Sequence, residues 1–89
     1  MTYSVEYTPQ AVKQLKKLDK HTRALILGWI EKNLLNCSNP YQFGKGLTAN
    51  RSGQWRYRIG DYRLICHIEN EKLVILVLSV GHRKEIYDL

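Results

Sequence analysis

The sequence has no apolar run approaching the ~18 residues that a membrane-spanning helix needs. Its first residues form neither a basic nor an apolar leader segment, so no secretory signal is expected. Cysteine is scarce: Cys37 and Cys66 stand 29 residues apart, which gives neither a disulfide framework nor a metal-ligand spacing. The three histidines, His21, His67 and His82, have no ligand partners at metal spacing either. A Gly-rich phosphate loop and a Ser/His/Asp arrangement are also missing, so no cofactor and no metal are expected. With no repeat, linker or low-complexity tract, residues 1–89 read as one small, reduced, cytoplasmic domain without a membrane partner.

Acidic residues are the last shortage, and an informative one. Fourteen Lys and Arg stand against eight Asp and Glu, a net charge of +6, which favours anionic partners such as nucleic acid. The excess falls in two blocks. Residues 10–35 hold Lys13, Lys16, Lys17, Lys20, Arg23 and Lys32 against Asp19 and Glu31. Residues 45–67 hold Lys45, Arg51, Arg56, Arg58 and Arg63 against Asp61.

The patterning predicts an α+β domain of order β-α-α-β-β-β with a short helical tail, a helical hairpin packed on a small, mainly antiparallel sheet. "YSVEY" (Tyr3 to Tyr7) alternates as a strand does. Thr8-Pro9 supplies an N-cap and a first-turn proline. "QAVKQLKKLDK" sets Ala11, Val12, Leu15 and Leu18 on one helical face with lysines opposite, and "HTRALILGWIEKNLLN" repeats the pattern with Leu25, Ile26, Trp29, Ile30 and Leu34. Residues 36–46 have loop punctuation. Three strand-like segments follow, "QWRYRI", "YRLICHI" and "KLVILVLSV". The last is apolar on both faces, as a covered central strand should be.

The arginines carry the functional question. In "WRYRI", Trp55, Tyr57 and Ile59 share one strand face, and Arg56 and Arg58 the other. Gly60-Asp61 reads as a two-residue type II′ turn, which sets Ile59 opposite Tyr62, Arg58 opposite Arg63 and Arg56 opposite Ile65. Facing like charges destabilise a sheet, and arginine cannot shed its proton. Two readings fit: a surface kept for an anion, whose oxygens a guanidinium fork binds in pairs, or a solvated edge of splayed side chains.

"SVGHRKEIYDL" follows the last strand. If the outer two of the three strand segments adjoin, its His82, Arg83 and Lys84 come near the arginine face. Tyr87, with an ordinary pKa of about 10 that nearby cations lower, is then a credible base. On the tail alone, a cap of Tyr87 and Ile86 over the core is the simpler role, and for His82 a hydrogen-bonded strand end. Arginines plus a tyrosine suit cleavage of RNA without metal, because RNA brings its own nucleophile in the 2′-hydroxyl. The protein then supplies a base, positive charge for the developing phosphorane, and an acid for the leaving 5′-oxygen. Arg83 and His82 are both candidates for the acid.

The order of elements, together with "GDYRLICHIENEKLVILVLSVGHRKEIY", resembles the RelE/ParE superfamily of bacterial toxins from type II toxin–antitoxin pairs, over nearly the whole chain. RelE-type members are messenger-RNA endonucleases acting in the ribosomal A site; ParE-type members share the fold but poison DNA gyrase. The RelE pattern implies Arg56 and Arg58 as phosphate-binding residues and Arg63 as a phosphate stabiliser. It implies Arg83 as stabiliser and proton donor, and Tyr87 as base and stacking platform. His82 and Lys84 are then further substrate contacts, and Lys13, Lys16, Lys17 and Lys20 would hold ribosomal RNA. The implied partners are a RelB-like antitoxin, the ribosome with its mRNA, and operator DNA in complex with the antitoxin. Two departures stand out. Arginines replace the lysines of the best-known pattern at 56 and 58, which keeps charge but changes geometry. The interval from Arg83 to Tyr87 is shorter by about two residues, half a helical turn. A gyrase inhibitor is the alternative reading, and a degenerate member retained for antitoxin or DNA binding is a third.

Overall fold

The computed structural model describes residues 1–47 and 53–86, so Arg51 and Tyr87 lie outside the described residues. The elements run β1 (Ser4–Tyr7), α1 (Pro9–Lys17), α2 (Lys20–Asn33), a 3₁₀ turn (Pro40–Gln42), β2 (Lys45–Gly46), β3 (Trp55–Ile59), β4 (Tyr62–Glu69), β5 (Val74–His82) and α3 (Arg83–Ile86). The sheet order is β1-β5-β4-β3-β2, with β1 parallel to β5 and the other pairs antiparallel. No described helix is long and apolar enough to cross a membrane.

The expected architecture holds, with three corrections. The first concerns neighbours: the outer two of the three strand segments do not adjoin, because β4 lies between them. Short turns join β3 to β4 and β4 to β5, and consecutive antiparallel strands so connected pair with each other. The second is β2, two residues within the stretch read as loop. The third is Leu25, which is 57% exposed, while Ile26, Ile30 and Leu34 carry the buried stripe of α2. Val12 likewise stands off the buried face of α1, where Ala11 and Leu15 sit.

One sheet face bears the helices. Tyr57, Leu64, Cys66, Ile75, Val77 and Val80 meet Ala11, Leu15, Ile26, Ile30 and Leu34 there in a single apolar cluster. Burial pushes the Cys66 thiol up to about 12 and raises the Tyr57 phenol. Tyr57 donates from its buried hydroxyl to Pro40 O at 2.6 Å, which satisfies it and pins the 3₁₀ turn to the sheet. Trp29 and Trp55 are half-buried against the same core.

Thr8 joins three elements. Its Oγ1 accepts from Ala11 N at 3.1 Å, capping α1, and donates to Leu78 O at 3.0 Å on β5. Gln14 Oε1, six residues further along in α1, accepts from Val80 N at 2.6 Å. These bonds matter because β1 stops pairing at Tyr7, opposite Val77, leaving the rest of that edge of β5 without a strand. Helix α1 supplies the missing partners. The register of β4 against β5 also slips here: Ile65 faces Ser79 but Cys66 faces Val77, so Leu78 is an extra residue, a bulge. Asp19 caps α2 from outside the first helix, accepting from Thr22 N at 3.0 Å and Thr22 Oγ1 at 2.6 Å, which holds its carboxyl below the ordinary range.

Replacing Thr8 by Ala removes a cap and leaves a β5 carbonyl without its donor. The expected cost is about 1–2 kcal/mol in urea unfolding, with Ser recovering most of it; an unchanged midpoint would refute the double role.

Candidate functional site

The turn between β3 and β4 fixes the site. Gly60 has φ +59° while Asp61 does not take positive φ, as a type II′ turn requires. The pairs that follow are those the turn dictates: Ile59 with Tyr62, Arg58 with Arg63, Arg56 with Ile65. Arg56, Arg58 and Arg63 thus share the sheet face opposite the helices, and Gly81 of β5 lies across from Arg63 on its other side. On β2, Lys45 faces Arg56 and extends this basic face by one strand. Beneath the cations lies an apolar floor, Ile65, which is 2% exposed and flanked in register by Arg56 and Ser79.

Arg63 is the unusual member. It is only 7% exposed, yet no described carboxylate pairs with it. Its guanidinium curls back to the hairpin, donating through one terminal nitrogen to Gly60 O and Tyr62 O, each at 3.3 Å. Its Nε is buried without a partner among the described residues. A buried charge lacking a counter-charge costs several kcal/mol, and two long bonds to carbonyls offset little of that. Arg58, exposed and directly opposite, adds repulsion. An anion on this face would satisfy Nε and both guanidinium charges at once.

The tail reaches the same turn. Arg83 N donates to Asp61 O at 2.8 Å, so the start of α3 is tied to the hairpin whose arginines form the face. Arg83 and Lys84 are exposed. His82 is differently placed. It faces Tyr62 in register, ring against ring edge-on at 5.5 Å, and Tyr62 belongs with Ile59 to the helix-bearing face. Its Nδ1 accepts from Lys84 N at 3.2 Å. That bond assigns the proton of the neutral ring to Nε2 and makes His82 the side chain that caps α3.

The structure therefore brings Arg56, Arg58 and Arg63 together, ties the Arg83 backbone to them, and turns His82 to the other side. Lys13, Lys16, Lys17 and Lys20 are all exposed on the helical layer, which covers the opposite face of the sheet. They form a second basic surface, not part of the first. Among the described residues, no group of three or more His, Cys, Asp or Glu could hold a metal ion. The sequence reading missed Lys45 as a member of the face and Gln14 as a support of β5. A strand of two residues has no alternation to detect, and a glutamine on a helix carries no sign of the distant amide it will meet.

If the Arg58–Arg63 juxtaposition is repulsive, Arg58→Thr stabilises the fold by about 0.2–1 kcal/mol, more at low than at high salt. Thermal unfolding at two ionic strengths checks this, and a destabilised variant would refute it.

The same architecture recurs in known proteins. The family described as "ParE toxin of type II toxin-antitoxin system, parDE" matches residues 5–87. Toxin RelG of Mycobacterium tuberculosis is 32% identical over 87 residues, covering 98% of each chain. The toxin–antitoxin complex RelBE2 of M. tuberculosis contains a chain that superposes with a TM-score of 0.85 at 29% identity, covering 96% of this chain and 95% of that one. In the RelE–RelB complex of Pyrococcus horikoshii the corresponding values are 0.69, 27%, 96% and 99%. The conserved fold order, the length of the match and the identity to curated toxins together make the chain a toxin of a type II toxin–antitoxin system, a member of the RelE/ParE superfamily.

Proposed function

We propose that this toxin is an mRNA endonuclease that cuts in the A site of the translating ribosome, without metal, by attack of the substrate's own 2′-hydroxyl. The observation that carries the reading is Arg63: a buried guanidinium with an Nε unpartnered among the described residues, directly facing Arg58. Such a face suits a phosphodiester, and charge built into a half-dry site acts most strongly where charge develops in the transition state. Arg56 and Arg58 bind the phosphate. Arg63 and Arg83 stabilise the phosphorane.

In the reaction, Tyr87, as its phenolate, takes the proton of the 2′-hydroxyl and becomes the neutral phenol as the 2′-oxygen bonds to phosphorus. The bond to the 5′-oxygen breaks, and that oxygen leaves with a proton from Arg83. The products are a 2′,3′-cyclic phosphate, or the 3′-phosphate after hydrolysis, and a 5′-hydroxyl end. Lys84 adds a substrate contact. His82 does not give up the proton in this scheme; through its bond to Lys84 N it positions the start of α3. Lys13, Lys16, Lys17 and Lys20 bind ribosomal RNA from the helical side. A RelB-like antitoxin is the cognate partner, as in the complexes of the M. tuberculosis and P. horikoshii relatives, and operator DNA is bound with it. The site of action is cytoplasmic.

The match to a ParE family favours a second reading, a gyrase inhibitor that cuts no RNA. Mapping 5′ ends on mRNA with and without translating ribosomes separates the two. The nuclease reading expects cuts only on ribosomes, reduced about 10²- to 10³-fold in Arg63→Ala and Arg83→Ala, reduced also in Tyr87→Phe, and blocked by a 2′-deoxy nucleotide at the cut. Intact mRNA with gyrase-dependent DNA breaks would overturn it.

His82→Phe keeps a ring against Tyr62 but deletes the Nδ1 acceptor. A positioning role predicts slower cleavage with the pH profile of the rate unchanged. Loss of a limb of that profile would instead make His82 the acid.

A further inference from the structure

The basic face does not end at the arginines. Lys45 stands directly opposite Arg56, so β2–β3 repeats what β3–β4 does: two cations facing each other across a strand pair. Strand β2 has only two residues and forms the sheet edge, the weakest place in a sheet to hold a register.

Its register is nonetheless firmly built. Gly44 has φ +77°, and a Cβ there would lie 2.1 Å from Arg56 O, so only glycine lets the chain come this close. Trp55 Nε1 donates to Phe43 O at 2.7 Å just before the strand, and Leu47 N donates to Gln54 O at 3.0 Å just after it. Trp29 against Phe43 and Tyr41 against Trp55, with ring centroids 5.9 Å and 5.0 Å apart, hold the approach to the strand on the aromatic side of the sheet. All of this pins an exposed lysine against an arginine. Edge lysines often serve only to discourage pairing with other sheets. That purpose needs no fixed register.

Strand geometry places the Lys45–Arg56 pair one two-residue step, about 6.7 Å, from the Arg58–Arg63 pair along β3. Adjacent phosphates of an unstacked single strand are separated by a comparable distance. We infer that Lys45 and Arg56 form a second phosphate subsite, holding the phosphate next to the scissile one, so that the face grips two consecutive linkages of single-stranded RNA. The inference rests on the nuclease reading and adds to it a binding residue and a minimum substrate length.

The test is a double-mutant cycle on programmed ribosomes. The mRNAs carry a neutral methylphosphonate at one or the other linkage flanking the cut, and the toxins are wild type, Lys45→Ala and Lys45→Arg. For wild type, neutralising one of the two flanking linkages should lower kcat/KM by about fivefold to tenfold, the worth of one charge-assisted bond discounted for solvent. Lys45→Ala should show the same loss on natural mRNA and no further loss on that neutralised one, while Lys45→Arg stays near wild type. Lys45→Ala should also melt close to wild type, since Lys45 is exposed and β2 is held by Gly44, by Trp55 Nε1 on Phe43 O and by Leu47 N on Gln54 O. Losses that simply multiply, or a Lys45→Ala toxin that cuts natural mRNA as well as wild type, overturn the subsite and leave the nuclease reading intact. A wild-type toxin that cuts nothing overturns both.

Discussion

Everything on the basic face depends on the two-residue turn at Gly60-Asp61. So short a loop permits one register, and that register sets Arg58 against Arg63. The same turn offers Asp61 O to Arg83 N, so the tail is tethered to the loop that aligns the arginines. A longer loop would let β4 slip by a residue against β3 and send Arg63 to the apolar side, away from Arg58. The glycine at its first position is therefore a requirement of the site as much as of the hairpin.

The second constraint is that β5 must stay central although its parallel partner is short. Helix α1 completes its edge with side chains, Thr8 below and Gln14 above, in place of a strand. This ties the helical layer to the part of β5 that leads to Gly81, His82 and Arg83. The core and the basic face are thus opposite sides of one sheet, and what stabilises the first holds the second in shape. The face itself is unfavourable for folding, as functional surfaces often are. The Arg58–Arg63 pair persists because the apolar cluster behind it is sufficient.

Most of this was legible in the amino acids. The hairpin, its turn type and its three cross-strand pairs follow from a single dipeptide flanked by alternating residues. The Thr8 cap and the two-sided burial of β5 follow from equally local rules. What was not legible depends on residues far apart. Strand β2 exists because Trp55 and Tyr57 reach back to Phe43 and Pro40. The exposure of Leu25 depends on how α2 is rotated against the sheet, and its apolar residues fit more than one rotation. His82 looked like a neighbour of the arginines because proximity along the chain hides which side of a strand a residue occupies. Residue roles in the tail came from family resemblance, and Tyr87 lies outside the described residues.

The bulge in β5 has a consequence for how this chain can vary in length. Because Leu78 is an uncompensated residue in the ladder, Val77 and Val80 point to the same side although they are three apart. Deleting Leu78 itself would restore strict alternation with Val77 still opposite Cys66 and Ser79 still opposite Ile65, so everything up to Arg83 would keep its side. A single-residue deletion should therefore be tolerated at the bulge, whereas one-residue changes elsewhere in this strand must be absorbed by the bulge, matched in β4 or come in twos. A family alignment read with that parity in mind would distinguish chains that keep their tail on the basic side from chains that have turned it away.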